Sequence, residues 1–132
     1  MIKVARCACG GSSITVSGEP EAHDVCHCTN CKRRTGSAFG ISSYFKRANI
    51  VEQTGRTTVY ALHAKDLNHD QERHFCSNCG TTLFWYVSDQ KDLVGIAGGC
   101  FGEDSLGEPA GSYSHSKKVP WVELPSRCRV EQ

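Results

Sequence analysis

Apolar and polar residues alternate along most of this chain in short runs and do not recur at helical spacing. Ile2–Arg6, Ser13–Ser17, His23–Cys26, Ala38–Phe45, Asn49–Gln53, Thr57–Ala61, Arg73–Phe75, Thr82–Val87 and Leu93–Gly98 are rich in Val, Ile, Thr and aromatic residues and are separated by Gly, Pro, Asn or Asp. Such runs read as strands, because successive side chains of an extended chain point to opposite faces. No window of helical length keeps a period of about 3.6 residues. Lys32–Ser37 reads as a helical turn, Gly102–Gly111 as a loop, and Val119–Leu124 as an apolar tail segment that docks back on the body. The pattern predicts an all-β fold of short, mainly antiparallel strands. With 132 residues and no repeat or linker, it predicts a single domain over 1–132.

Composition narrows the function classes. Hydrophobic residues make up 39% of the chain, as in globular domains. No apolar run reaches the roughly 18 residues of a membrane span. Met1–Arg6 reaches a cysteine too soon to hold a signal peptide. The formal charge is +1, and two zinc ions held by seven thiolates would take it to about −2. That balance predicts neither a nucleic-acid nor a membrane partner.

Cysteine changes the picture most. There are nine, an odd number, and seven fall in tight groups. Neighbours in Cys-x-Cys bridge poorly, because the loop is too short for relaxed disulfide geometry. The spacing therefore predicts metal ligands and a reducing, cytoplasmic compartment. Cys7-Ala8-Cys9-Gly10-Gly11 reads as a strand end aiming two sulfurs to one side, with glycines for a sharp turn. Cys76-Ser77-Asn78-Cys79-Gly80 reads as a zinc knuckle. A thioredoxin-like redox motif is the rival, but it should open a helix, and Thr82–Val87 reads as strand. Cys26-His27-Cys28-Thr29-Asn30-Cys31 offers three sulfurs. It either lends two ligands to a mixed site or stands alone. The division favoured here pairs Cys7/Cys9 with Cys76/Cys79 in a closed four-sulfur site and leaves Cys26, Cys28 and Cys31 with one open position. Cys100 or Cys128 could close that position; each otherwise reads as a small buried hydrophobe.

The remaining candidates are weaker. No histidine pair among His23, His27, His63, His69, His74 and His115 has helical metal-ligand spacing, and strand alternation turns His27 away from its neighbours' metal. The His-x-Glu and Pro-Cys-x-x-Cys of zinc deaminases are missing. Lys32-Arg33-Arg34 reads either as a solvated basic face or as a clamp for an anionic substrate beside the triple. Phe84, Trp85, Tyr86 and Trp121 read as core or rim packing.

With Cys7-Ala8-Cys9-Gly10, Cys26-His27-Cys28-Thr29-Asn30-Cys31-Lys32-Arg33-Arg34-Thr35-Gly36-Ser37-Ala38-Phe39, Phe75-Cys76-Ser77-Asn78-Cys79-Gly80-Thr81 and the tail His115–Trp121, the chain resembles the glutathione-dependent formaldehyde-activating, or centromere protein V-like, family. The resemblance implies an all-β, Mss4-like zinc fold. It implies a structural zinc on Cys7, Cys9, Cys76 and Cys79 and a second, catalytic zinc on Cys26, Cys28 and Cys31. It further implies a carbon–sulfur lyase joining formaldehyde to glutathione as S-hydroxymethylglutathione, for which Lys32, Arg33 and Arg34 are the candidate carboxylate-holding residues. Iron or nickel is also compatible with sulfur ligands. A zinc with three thiolates is a poor Lewis acid, which favours positioning a substrate thiolate over activating water. The alternative is a non-catalytic zinc module that carries a thiol or binds a protein.

Overall fold

The computed structural model describes residues 1–64, 69–103 and 106–132. Two β-sheets form the body. The smaller is an antiparallel three-stranded sheet of β1 (Ile2–Arg6), β2 (Ser13–Ser17) and β5 (Ile50–Thr54), in the order β1-β2-β5. The larger contains β3 (Ala22–Cys26), β4 (Gly40–Lys46), β6 (Thr57–Ala64), β7 (His69–Cys76), β8 (Thr82–Val87), β9 (Leu93–Ala97), β10 (Gly111–Tyr113) and β11 (Arg129–Val130). Its order is β11-β10-β3-β4-β9-β8-β7-β6. The pairing is antiparallel except at one end, where β10 lies parallel to both β3 and β11. One short helix, α1 (Thr29–Thr35), follows β3.

The strands expected at Ile2–Arg6, Ser13–Ser17 and Thr82–Val87 have those bounds, and the others shift by a few residues. The expected Arg73–Phe75 lies in the C-terminal half of the longer β7. The helical turn starts three residues earlier than Lys32, because Cys28 caps it: Cys28 Sγ accepts from the Cys31 N–H at 3.3 Å. Gly36 ends it in a left-handed conformation (φ 62°). Residues 104 and 105 of the expected Gly102–Gly111 loop lie outside the described residues.

The core lies between the sheets. Ala5, Ile14 and Val16 of the small sheet meet Phe45, Val94, Ile96, Leu83 and Phe84 of the large one, with Phe101 closing the edge. Strict alternation would send Leu83 and Phe84 to opposite faces. An irregularity opposite His74/Phe75 puts the extra residue Leu83 between the paired positions, so both reach the core. The tail docks through Val122 and Cys128, both buried, whereas Trp121 is 76% exposed and packs in no core.

The other face of the large sheet positions the site. One row runs through Ala22, Tyr44, Gly95, Trp85, Arg73 and Tyr60 across six adjacent strands. Two residues along, Asp24 faces Ser42, and two further Cys26 faces Gly40. Period-2 alternation thus gathers side chains from distant parts of the chain on one surface.

Candidate metal centres and the adjoining cleft

The first sulfur group ties the two sheets together. Cys7 and Cys9 lie just past the end of β1, in the turn to β2, so a hairpin turn and not strand alternation aims them. Cys76 ends β7 and Cys79 lies in the turn to β8; a strand follows, not the helix a thioredoxin-like motif needs. The two turns are built alike. Cys7 N–H donates to Ser12 O at 3.1 Å and Cys76 N–H to Thr81 O at 2.9 Å, each five residues on. Gly10 and Gly80 follow with φ of 76° and 83°. The four Sγ atoms lie within 4.8 Å of one another. Cys7 and Cys9 sulfurs are 3.6 Å apart, and those of Cys9 and Cys76 3.8 Å. Four sulfurs placed tetrahedrally at the zinc–thiolate distance of about 2.3 Å are separated by about 3.8 Å, so this donor set fits zinc.

Local donors lower two of these thiols, Cys79 and Cys76. At Cys9 the Asn78 and Gly11 hydrogen bonds are outweighed by the Cys7 and Cys79 thiols and burial, which leave it raised. The Thr81 hydroxyl, 3.2 Å from Cys79 Sγ, and the Thr81 backbone lower Cys79 to about 5. The Ser12 hydroxyl, followed by the amides of Cys79 and Asn78, also lowers Cys76. Ser12 N–H donates to Cys7 Sγ at 3.2 Å and Gly11 N–H to Cys9 Sγ at 3.4 Å.

The second group, Cys26, Cys28 and Cys31, comes from the end of β3, the cap of α1 and its first turn. Its sulfurs also lie within 4.8 Å of one another, with no fourth cysteine among the described residues. Cys100 and Cys128 belong to neither group. The thiols of Cys26 and Cys31, then the amides of Cys31 and Asn30, hold Cys28 down at about 2, while contacts with Cys26 and Cys28 push Cys31 up. Cys26 is likewise pushed up, first by Cys28. Three soft donors suit zinc and are one short of a closed tetrahedral set. His27 belongs to neither group: it is fully buried, and its Nε2 shares a 2.9 Å hydrogen bond with Ser112 Oγ. That hydroxyl lies 2.9 Å from His115 Nδ1, which ties the segment after β3 to β10 and the turn beyond it.

The three sulfurs line a cleft of about 370 Å³ with Arg34, Ser42, Tyr44, Gln71, Arg73 and Trp85. Of the three basic candidates, the structure brings one to this cleft. Arg34 lies over the Trp85 ring, 4.6 Å from its centroid. A Cβ at Gly40 would sit 2.7 Å from Arg34 Nη2 and 3.2 Å from Cys31 Cβ, which places this guanidinium beside the third cysteine. Arg34 Nη2 is buried and lacks a hydrogen-bond partner among the described residues. Lys32 Nζ turns away and donates to Lys117 O at 2.6 Å. Arg33 lines a neighbouring groove with Asn30, Arg34, Tyr60 and Arg73.

Sequence reasoning missed Arg73, Tyr44 and Gln71 and read Trp85 as packing alone. Arg73 lines both the cleft and the groove. Its Nε donates to Gln71 Oε1 at 3.1 Å, and its Nη2 donates to Asn30 Oδ1. Burial, followed by the Arg34 charge, pushes it below the usual guanidinium range. The cleft's carboxylates are engaged elsewhere: Asp24 lies 3.9 Å from Arg129, and Glu21 3.4 Å from Lys46. Two adjacent arginines without an acidic partner among the described residues make this wall positively charged. The one available signal was register: Arg73 stands beside Trp85 in a row that no single segment displays.

Comparison with known proteins now adds a family. The model of the glutathione-dependent formaldehyde-activating enzyme family matches residues 2–116, and the chain belongs to this family. Lys117–Trp121 of the tail lies outside that match. A Halomonas elongata protein provisionally named a glutathione-dependent formaldehyde-activating enzyme is 26% identical, over 96% of this chain and 83% of its own length. Proteins of the same provisional name from Fusarium vanettenii and Aspergillus terreus are 23% and 28% identical over 69% and 68% of this chain. The chain spans under half the length of those two fungal relatives, 48% and 47%. A Rhodobacter sphaeroides protein of known crystal structure shares the fold, with a TM-score of 0.57 and 19% identity over 74% of this chain and 85% of its own. No helix among the described residues is long and apolar enough to cross a membrane.

Proposed function

We propose that the protein adds a thiol, glutathione in the first instance, to formaldehyde and works as a zinc-dependent carbon–sulfur lyase. One observation carries this reading: Cys26, Cys28 and Cys31 converge on a cleft walled by Arg34 and Arg73. Cys7, Cys9, Cys76 and Cys79 would hold a structural zinc, and Cys26, Cys28 and Cys31 a second one. Bound at the second centre, zinc supplies the positive charge that keeps a substrate sulfur deprotonated at neutral pH. Arg34 and Arg73 receive the carboxylates of the thiol, each charge-assisted hydrogen bond contributing roughly 1.5–3 kcal/mol. Trp85 and Tyr44 wall the cleft on the sheet side and exclude water from the reacting atoms. In the addition, the sulfur–carbon bond forms, the carbonyl π bond breaks, and the oxygen takes up a proton.

Exchange NMR on formaldehyde and glutathione, with and without protein, tests the proposal. Faster adduct exchange that vanishes in Cys28→Ser supports it. Glutathione binding with proton release but no faster exchange would mark a thiol carrier instead. No binding of glutathione at all would exclude it as the substrate.

A further inference from the structure

Tyr44 occupies the centre of the sheet face that forms the cleft, in the same cavity as the three clustered cysteines. Its neighbours in the cross-strand row are Gly95 and then Trp85. A Cβ at position 95 would lie 2.1 Å from Trp85 Nε1, so only glycine lets the indole cross that backbone. Reaching over it, Trp85 Nε1 donates to the Tyr44 hydroxyl at 3.1 Å, with the rings edge to face at 82°.

An indole N–H can only donate. The Tyr44 oxygen is therefore the acceptor in this bond, and its own hydrogen must be directed elsewhere. Among the described residues no hydrogen bond takes that hydrogen up, and Tyr44 lines the cleft. Burial raises the phenol above its ordinary range, against the opposing effect of the Trp85 hydrogen bond. The result is an O–H whose acceptor side is occupied by a fixed tryptophan, a preorganised donor of the kind that stabilises developing negative oxygen.

We propose that the Tyr44 hydroxyl is the oxyanion donor of the cleft and hydrogen-bonds to the carbonyl oxygen of the aldehyde as the thiol adds. The proposal rests on the thiol–formaldehyde reading above. The sulfur lone pair forms the new carbon–sulfur bond while the carbonyl π pair moves onto oxygen. That oxygen accepts the hydrogen bond from Tyr44 and then a proton from water, which replaces the proton the thiol released. Breakdown of the adduct runs through the same contacts in reverse. Trp85 acts as a positioning residue by holding the hydroxyl's acceptor side.

The test compares wild-type protein, Tyr44→Phe and Trp85→Phe, each loaded with zinc, in the exchange assay with varied glutathione. Tyr44→Phe keeps the ring and removes only the hydroxyl. We expect kcat to fall about 100-fold, as on loss of an oxyanion-hole donor, with KM for glutathione within about twofold and zinc content unchanged. Trp85→Phe should lower kcat about fivefold, the equivalent of one neutral hydrogen bond, by releasing the phenol from its fixed orientation. An unchanged kcat in Tyr44→Phe overturns the proposal while leaving the thiol–formaldehyde reading intact. So does a raised KM with kcat retained, which would assign the hydroxyl to binding. A wild-type protein that does not accelerate exchange overturns the parent reading and this proposal together. If Tyr44→Phe fails to fold by circular dichroism, Trp85→Phe still decides: no loss of kcat in a folded Trp85→Phe rejects the preorganised donor.

Discussion

The two sulfur groups place the same side chain in opposite settings. The four-sulfur group draws on two hairpin turns, β1–β2 and β7–β8, whose facing cysteines are up to 67 residues apart in the contacts seen. It joins the small sheet to the large one, and it is surrounded by amides and hydroxyls that satisfy its sulfurs. The three-sulfur group comes from Cys26–Cys31 alone, closes almost no loop and faces a cleft. Loop-closure entropy separates them: a ligand set gathered from distant segments constrains the unfolded chain, while one from a single turn barely does. Sulfur chemistry makes both groups able to hold a metal, and topology is the basis for proposing one as an organiser of the fold and the other as a place for a substrate.

The sharpest way to break this comparison is to remove one sulfur from each group. Structural zinc contributes roughly 10–16 kcal/mol of apparent binding energy, against a whole-domain stability of about 5–15 kcal/mol. Cys79→Ser and Cys7→Ser should therefore lose the native fold. A well-dispersed NMR spectrum from metal-free Cys79→Ser would show that the knot does not organise the fold. Cys28→Ser should remain folded, since serine is itself a good helix N-cap and keeps the acceptor for the Cys31 amide. It should hold about one zinc per chain by mass spectrometry under native conditions, and lose thiol binding. If it unfolds like Cys79→Ser, the two groups do not differ as argued.

A smaller effect concerns acid. Metal binding needs thiolates, so a thiol with a raised pKa takes back its proton first as the pH falls. Two of the three thiols in the open trio, Cys31 and Cys26, are pushed up by their sulfur neighbours, whereas in the closed group Cys76 and Cys79 are lowered and Cys9 alone is raised. One zinc equivalent should pass to a chromogenic chelator at mildly acidic pH with circular dichroism unchanged. The second should leave at lower pH, together with the fold. Simultaneous release of both would contradict the distinction. The smallest effect sorts the basic residues. Arg73→Met should weaken glutathione binding about 10-fold or more by calorimetry, the worth of one charge-assisted hydrogen bond. Arg33→Met, outside the cleft, should change it less than about threefold, and Lys32→Met, whose amine is bound to the tail, by no more. Equal losses at Arg33 and Arg73 would move the anion site into the neighbouring groove.

Much of this was legible in the residues. Ser13–Ser17 and Thr82–Val87 announced themselves by β-branched and aromatic residues between turn formers, and both groups of cysteines by their spacing. Other elements were not legible. Gly111–Tyr113 and Arg129–Val130 are too short and polar to show a pattern, and they become strands because β3 offers an edge for parallel pairing. Residues 69–72 lie outside the expected strand Arg73–Phe75. They extend β7 because the strand is paired on both sides, and Gln71 and Arg73 have a cleft to face.

What the sequence determined by itself is the chemistry that depends on neighbours along the chain. It set which sulfurs share a turn, which turns bend sharply, and that the chain prefers strands to helices. What only the tertiary structure decided is the chemistry that depends on register. Arg73, Tyr44 and Trp85 lie on three different strands, and they meet because cross-strand pairing aligns them in one row of a sheet. The same holds for the basic run: helix geometry spreads three consecutive side chains around α1, so Arg34 enters the cleft while Lys32 and Arg33 point elsewhere.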